Sequence, residues 1–330
     1  MRAVTIASPG SGRKLAFSQV ETPLPGPGEV LLRVEAAGVN RADALQIAGY
    51  YPPPPGAPPW PGLEVAGVVV ATGEPGGDAV PAGPGVGDAV VALLEGGGYA
   101  QYAVARSAQT LPVPDGVPLA DAAALPEAVC TAWTNLVDTA GLRPGEWVLV
   151  HGGSGGVGSI AVQLAQALGA HVVATAGGPD RAARVRGLGA DVVVDHRADD
   201  VVAAVREATG GRGVDVVLDV LGGGGLADNV RALAPRGRLV VIGLQQGRRG
   251  ELDLAAVLAK HLTVTGTTLR SRTPAEKAAL VAVVRERVWP LLAAGQVRPV
   301  VHARVPLERA EDALAMLDRG EVFGKVLLTP

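Results

Sequence analysis

Trp147-Val148-Leu149-Val150-His151-Gly152-Gly153-Ser154-Gly155-Gly156-Val157-Gly158 decides how this chain is read. A run that is apolar at every position suits a strand buried on both faces. The glycines that follow allow a sharp turn, and from Val157 to Leu168 the apolar residues return at helical spacing. In that strand–turn–helix setting, Gly153-x-Gly155-x-x-Gly158 matches the fingerprint of a dinucleotide pyrophosphate site. Glycine lets backbone N–H groups approach an anion at the helix N-terminus. A glycine-rich turn that merely packs strand on helix would read the same, so the neighbours decide.

Outward from this stretch the alternation is regular. Strands are predicted at Trp147–His151, His171–Thr175, Val192–Val194, Val214–Asp219, Leu239–Ile242 and Leu262–Thr265. Helices are predicted between them at Val157–Leu168, Arg181–Leu188, Val201–Ala208, Leu226–Leu233 and Leu252–Ala259. Six apolar strands joined by five amphipathic crossovers make a doubly wound parallel sheet, the Rossmann arrangement. The preceding segment differs: Val30–Val34, Val65–Ala71, Ala89–Leu93 and Tyr99–Val104 read as short strands among Gly- and Pro-rich turns, an antiparallel, barrel-like texture. After residue 270 a helix at Pro274–Leu292, another at Leu307–Leu317 and a strand at Lys325–Leu328 are too little to fold alone. They are expected to rejoin the first domain, giving an α/β chain with 1–122 and 268–330 in one domain and 123–267 in the other.

Composition narrows the function classes. At 330 residues with 48% hydrophobic content, two ordinary domains are the better prior. A net charge of −3, with 18% charged residues scattered in both signs, offers no basic stripe for a nucleic acid. The single cysteine, Cys130, precludes an intramolecular disulfide framework. No apolar run reaches a membrane span and the first residues lack a signal-peptide core, so a cytoplasmic protein is expected.

The second strand of the unit bears on cofactor choice. An NAD site commonly places Asp or Glu there to accept the ribose 2′-hydroxyl. Here the strand ends Thr175-Ala176-Gly177-Gly178, without an acid; Arg181 follows, and His196 closes the third strand. A cation in reach of a 2′-phosphate contributes roughly 1.5–3 kcal/mol, so NADPH is expected over NADH. The alternative is that Arg181 is a solvated residue on a first helical turn, with Asp180 beside it.

Several further motifs carry a family resemblance over essentially the whole length: Gly38-Val39-Asn40-Arg41-Ala42-Asp43, Gly49-Tyr50-Tyr51 followed by Pro52 to Pro55, Gly62-Leu63-Glu64-Val65-Ala66-Gly67, Leu125-Pro126-Glu127, Thr131-Ala132-Trp133 and Leu269-Arg270-Ser271-Arg272. With the glycine loop, they resemble the quinone oxidoreductase (zeta-crystallin-like) branch of the medium-chain dehydrogenase/reductase superfamily. The resemblance implies a GroES-like β-barrel catalytic domain, a Rossmann domain, NADPH in the cleft between them, and a homodimer through the Rossmann domain. It implies no zinc: Asn40 stands where the zinc enzymes carry a Cys ligand, and Leu63 where they carry His. The five histidines, His151, His171, His196, His261 and His302, have no metal-ligand spacing.

By the same resemblance Tyr51 and Asn40 are the catalytic candidates. Tyr51 sits at the active-site mouth, its loop stiffened by prolines. Asn40 faces the nicotinamide, the plainer reading being a helix N-cap. The implied cofactor contacts are Asn40, Thr131, Ser154, Gly155, Gly156, Val157, Thr175, Gly178, Arg181, His196, Gly243, Leu244, Leu269, Arg270 and Lys325. Asp43 and Glu64 read as structural, and Cys130 as a small buried hydrophobe. The activity implied is hydride transfer from NADPH to a small quinone or enone. Two alternatives stay open: an enoyl-thioester or 2-alkenal reductase, and a non-catalytic, crystallin-like NADPH-binding protein.

Overall fold

The computed structural model describes residues 1–7, 14–75 and 83–330. The chain divides into two compact units, one of residues 1–130, 270–294 and 299–330, the other of residues 131–269 and 295–298.

The first unit is built on strands. β1 (Arg2–Ile6) and β2 (Leu15–Gln19) pair antiparallel. They are followed by β3 (Glu29–Gly38), α1 (Arg41–Ile47), β4 (Glu64–Thr72), β5 (Ala89–Leu93), β6 (Tyr102–Arg106), β7 (Thr110–Pro112) and α2 (Leu119–Ala122). β3 organises the sheet: it pairs antiparallel with β4 along most of its length and with β6 over Glu29–Arg33. Its alternation places Val30, Leu32 and Val34 in a core shared with Val65, Val69, Val90 and Tyr99.

α3 (Pro126–Trp133) continues as a π-helix over Thr134–Thr139. The widening has a local cause. The Asn135 side-chain amide donates to the Thr131 carbonyl at 2.7 Å, the acceptor an α-helical Asn135 N–H would take.

The second unit runs β8 (Trp147–Val150), α4 (Gly156–Ala167), β9 (His171–Ala176), α5 (Pro179–Arg186), β10 (Val192–Asp195), α6 (Val201–Ala208), β11 (Val214–Asp219), α7 (Leu226–Ala232), β12 (Leu233–Val241), α8 (Leu254–Lys260) and β13 (Thr263–Gly266). Its six strands are all parallel in the order β10-β9-β8-β11-β12-β13, the doubly wound topology expected from the sequence. The order reverses at β8, so the glycine turn lies at the topological switch point.

The chain closes with α9 (Pro274–Arg287), α10 (Trp289–Ala293), β14 (Val301–Pro306), α11 (Ala310–Asp318) and β15 (Lys325–Thr329). β15 pairs antiparallel with the end of β3, and β14 pairs parallel with β15.

The sequence reading needs correction at several elements. The expected helix Pro274–Leu292 is two helices that meet at Val288, because Pro290 has no N–H and its ring crowds the preceding turn. The segment read as a helix from Leu307 begins with a 3-10 turn at Leu307–Arg309. β12 starts at Leu233, six residues before the apolar run at Leu239. Pro235 and Gly237 hide its beginning, and Arg236 takes a left-handed φ of 63° where the register with β11 shifts. β1, β2, β7, β14 and α1 were not legible, being short or without a clean period.

No helix among the described residues is long and apolar enough to cross a membrane.

Candidate active site

The glycine turn after β8 is held from below. Gly152, at φ 67°, donates its N–H to Thr175 Oγ1 at 3.0 Å, and the Gly153 N–H reaches the Thr175 carbonyl at 2.8 Å. Thr175 Oγ1 also lies 3.4 Å from His151 Nδ1, and His151 Nε2 lies 2.7 Å from Asn229 Oδ1. This network assigns the His151 proton to Nε2 and leaves Nδ1 to accept from Thr175. Burial lowers the His151 pKa, which keeps the ring neutral. The Thr175 hydroxyl is therefore committed to shaping the loop.

Space fixes the glycines. A Cβ on Gly158 would stand 2.1 Å from the Gly152 carbonyl oxygen, and one on Gly153 would meet Ala174 at 3.0 Å and Val185 at 3.1 Å. Gly155 caps α4 with extended backbone and no side-chain bond, so the first-turn N–H groups at Gly156 and Val157 have no side-chain acceptor. Ser154 is buried in the turn, while Gly155, Gly156 and Val157 are partly exposed. An uncapped N-terminus of a twelve-residue helix, closely approached by glycines alone, fits a pyrophosphate.

Beyond β9 the chain makes room for a cation. A Cβ on Gly177 would stand 2.8 Å from Arg197 Nε and 2.9 Å from His196 Cε1, so this glycine lets both side chains lie across the strand end. Gly178, at φ 86°, precedes α5 with open space above it. Arg181 follows on that helix's first turn, partly exposed. Asp195 ties the corner together: it accepts the Gly178 and Arg197 N–H groups, which hold its carboxyl below the usual range. The end of β12 contributes Gly243, packed against Val220, and Leu244, 58% exposed.

The first unit gathers a different set. Glu64 opens β4 and is fully buried. Its Oε1 accepts from Asn40 Nδ2 at 2.8 Å and from Lys325 Nζ, and its Oε2 accepts from the Glu127 N–H at 2.9 Å. Lys325, 3% exposed, also donates to Asn40 Oδ1 at 2.8 Å. Both ends of the Asn40 amide are thus occupied by protein. Asn40 also stands at the N-cap of α1, and its own N–H donates to Asp43 Oδ2 at 2.8 Å. Asp43 takes two more donors, the Gly62 N–H at 3.0 Å and the Tyr99 hydroxyl at 3.0 Å. Burial raises its pKa to about 6 against these bonds.

Tyr51 and Arg270 form a second group in the same unit. The Arg270 guanidinium lies over the Tyr51 ring, 5.0 Å from its centroid, and Nη1 donates to the Tyr51 carbonyl at 3.1 Å. Nη2 reaches Gln46 Oε1 at 2.6 Å and the Glu95 carbonyl at 2.9 Å, while the buried Nε has no partner among the described residues. Burial, and then the Glu127 carboxylate, raise the Tyr51 pKa, so the phenol stays protonated.

The fold therefore brings Asn40 and Lys325 together, Tyr51 and Arg270 together, and Ser154 to Val157 over Thr175. Gly178, Arg181 and His196 share one corner of the second unit. In that unit Thr131 gives its carbonyl to the π-helix, and Leu269 is a buried hydrophobe. Two residues escaped the sequence reading. Arg197 carried a signal, a second basic residue directly after His196. Glu127 carried one as well, since an acid in a helix's first turn beside apolar neighbours is a candidate for burial.

Among the described residues, no three His, Cys, Asp or Glu side chains are placed to hold a metal ion.

Residues 26–115 match the family described as alcohol dehydrogenase GroES-like domain, and residues 156–285 match zinc-binding dehydrogenase. The chain is 33% identical to the quinone oxidoreductase of Rattus norvegicus over 326 residues, covering 95% of this chain and 92% of that protein. The chain belongs to the quinone oxidoreductase branch of the medium-chain dehydrogenase/reductase superfamily. The Escherichia coli quinone oxidoreductase solved as a complex with NADPH has the fold of this branch member, at a TM-score of 0.87 and 28% identity with both chains fully covered. The chain is also similar to part of a larger protein. The phthioceranic/hydroxyphthioceranic acid synthase of Mycobacterium tuberculosis is 34% identical over 98% of this chain, which spans 15% of that protein's length.

Proposed function

We propose that the protein is an NADPH-dependent reductase of small conjugated carbonyl compounds, with a quinone as the acceptor. The observation that carries the proposal is the second unit's anion site, which glycines hold open and no side chain caps, in a member of a branch with an NADPH-complexed relative. The second unit would hold the dinucleotide. Ser154 to Val157 meet the pyrophosphate, and Arg181, His196 and Arg197 meet the 2′-phosphate. The first unit would supply the chemistry, from Tyr51 and the groups around Glu64. The reduced nicotinamide supplies the hydride; the chain binds, orients and protonates.

Asn40 and Glu64 are committed to Lys325, so an ammonium occupies the place where those residues could otherwise serve a cation. This favours an acceptor electrophilic enough to need no Lewis acid, which a quinone or enone is. An enoyl thioester is a conjugated electrophile as well, and this reading stands second.

The test follows NADPH oxidation by the purified protein with 1,4-benzoquinone, trans-2-hexenal and crotonyl-coenzyme A in parallel. Quinone reduction at the highest kcat/KM is expected; a clear preference for the thioester would replace the reading.

The protein is further proposed to be a homodimer joined at β13. That strand ends the parallel sheet with Val264 39% exposed, and α8 beside it buries none of its residues, leaving Leu254 and Leu258 64% and 74% exposed. Light scattering should give twice the chain mass, and a monomer would dismiss the assignment.

A further inference from the structure

The acceptor leaves this reaction with a proton as well as a hydride, and most polar groups of the first unit are in no position to give one. Asn40 has both amide ends occupied, Lys325 is bonded to Glu64 and Asn40, and both oxygens of Glu64 accept from protein donors. Asp43 is fully buried, with its two oxygens held by Asn40, Gly62 and Tyr99. Glu127 differs. It sits in the first turn of α3, its N–H fixed on Glu64, and its carboxyl receives no hydrogen bond among the described residues. The residue is partly exposed, so a proton has a way in and out.

We propose that Glu127 is the acid that protonates the acceptor oxygen, the deeper step of the reductase reading given above, on which it rests. Addition of hydride, with the reduced nicotinamide dinucleotide as two-electron donor, leaves the acceptor oxygen as an anion. The new O–H bond forms as the Glu127 O–H bond breaks. Glu127 remains as a carboxylate and takes its next proton from solvent, so each turnover consumes one hydride and one proton.

The charges around Glu127 favour this role. Glu64 at the start of β4 and Asp43 on α1 face it as like charges. Lys325 on β15 and Lys277 on α9 oppose them, and Tyr51 and Arg270 feel its charge. Lys277 is already paired with Glu95 at 3.3 Å and Lys325 with Glu64, so neither ammonium is Glu127's own. Burial first, and Glu64 second, raise the Glu127 carboxyl to about 8, which leaves it protonated at neutral pH. An acid is most useful when its pKa lies close to the working pH.

The test is Glu127→Gln, which keeps shape and neutral charge but has no carboxyl proton to give. With 1,4-benzoquinone the wild type should lose turnover as pH rises through about 8. The variant should be about tenfold slower at pH 7, below the roughly 10²–10⁴-fold usual for general-acid catalysis because a hydroquinone anion is a weak base. It should show no such limb, with NADPH affinity unchanged. Independently of turnover, infrared titration of the ligand-free protein should show a carboxylic acid band that persists at pH 7, fades through pH 8 and is missing from the variant. A variant with the wild-type rate and profile, or a wild type without that band, overturns the proposal alone. A wild type that reduces none of the acceptors tested removes the reductase reading and this proposal together.

Discussion

Lys325 is where the first unit is most exposed to a single substitution. Its side chain is 3% exposed, and its ammonium touches a Glu64 carboxylate that is fully buried. Lys325→Met removes the charge and keeps much of the stem's volume. Glu64 then retains two donors, Asn40 Nδ2 at 2.8 Å and the Glu127 N–H at 2.9 Å, but has no counter-charge. Breaking a buried pair in this way costs roughly 3–5 kcal/mol, because the remaining charge is left uncompensated. A fall in Tm of about 6–20 °C follows at the roughly 2–4 °C per kcal/mol usual for domains of 150–250 residues. Urea unfolding of wild type, Lys325→Met and Lys325→Met with Glu64→Gln checks each part. The double variant, which has no buried charge to strand, should recover most of the loss. A single variant less than about 1 kcal/mol below wild type, or a double variant no more stable than the single one, would refute the reasoning.

Gly158→Ala places a methyl 2.1 Å from the Gly152 carbonyl, more than 1 Å inside ordinary contact at 3.4 Å, so the turn must move. NADPH affinity measured by calorimetry should fall tenfold or more, at about 1.4 kcal/mol per decade, and an unchanged Kd would clear this loop of a role. Arg197→Ala should raise KM for NADPH by roughly ten- to a hundredfold, the loss of one charge-assisted bond, and leave KM for NADH nearly alone. Equal effects on the two cofactors would discard the 2′-phosphate assignment. Glu127 holds its proton to about pH 8 when folded, against an unfolded value of 4.5. Between those values the folded state binds the extra proton, so this group's stabilising contribution is present below pH 4.5 and is lost as pH rises through 8. Chemical denaturation across that window should show the decline in wild type and a flatter curve in Glu127→Gln; parallel curves would contradict it.

Most of the second unit was legible because periodicity is strongest where both faces of a sheet are covered. Val214 to Asp219 is apolar enough to be seen, and so is the glycine turn, whose residues are dictated by space around Gly152. β12 was seen only from Leu239 because its first half rests on pairing rather than pattern. The first unit was less readable. β1 and β2 are five residues each and lean on each other and on a single bridge from Ala3 to Ala100, a long-range contact that no local pattern announces. The site divides in the same way. The loop residues were evident, whereas Glu127 depends on Glu64, Lys325 and Asp43, which lie far from it in sequence and meet only through β4, β15 and α1.

The charge arithmetic of that meeting explains why a proton should reside there at all. Glu64 raises the pKa of both Asp43 and Glu127, and Asp43 raises that of Glu127 further, because a low-dielectric setting disfavours several carboxylates beside one bonded ammonium. Lys325 answers Glu64. The other two groups hold their protons to higher pH than free carboxyls do, and their surroundings set them apart. Three donors aimed at Asp43 favour its charged form and limit its rise to about 6; Glu127, with no donor, rises to about 8. A pair of acids driven apart in this way divides the work between them. Asp43, sealed and bonded, fixes the start of α1 against Gly62 and Tyr99. Glu127, unbonded and reachable, is left with the proton that can move.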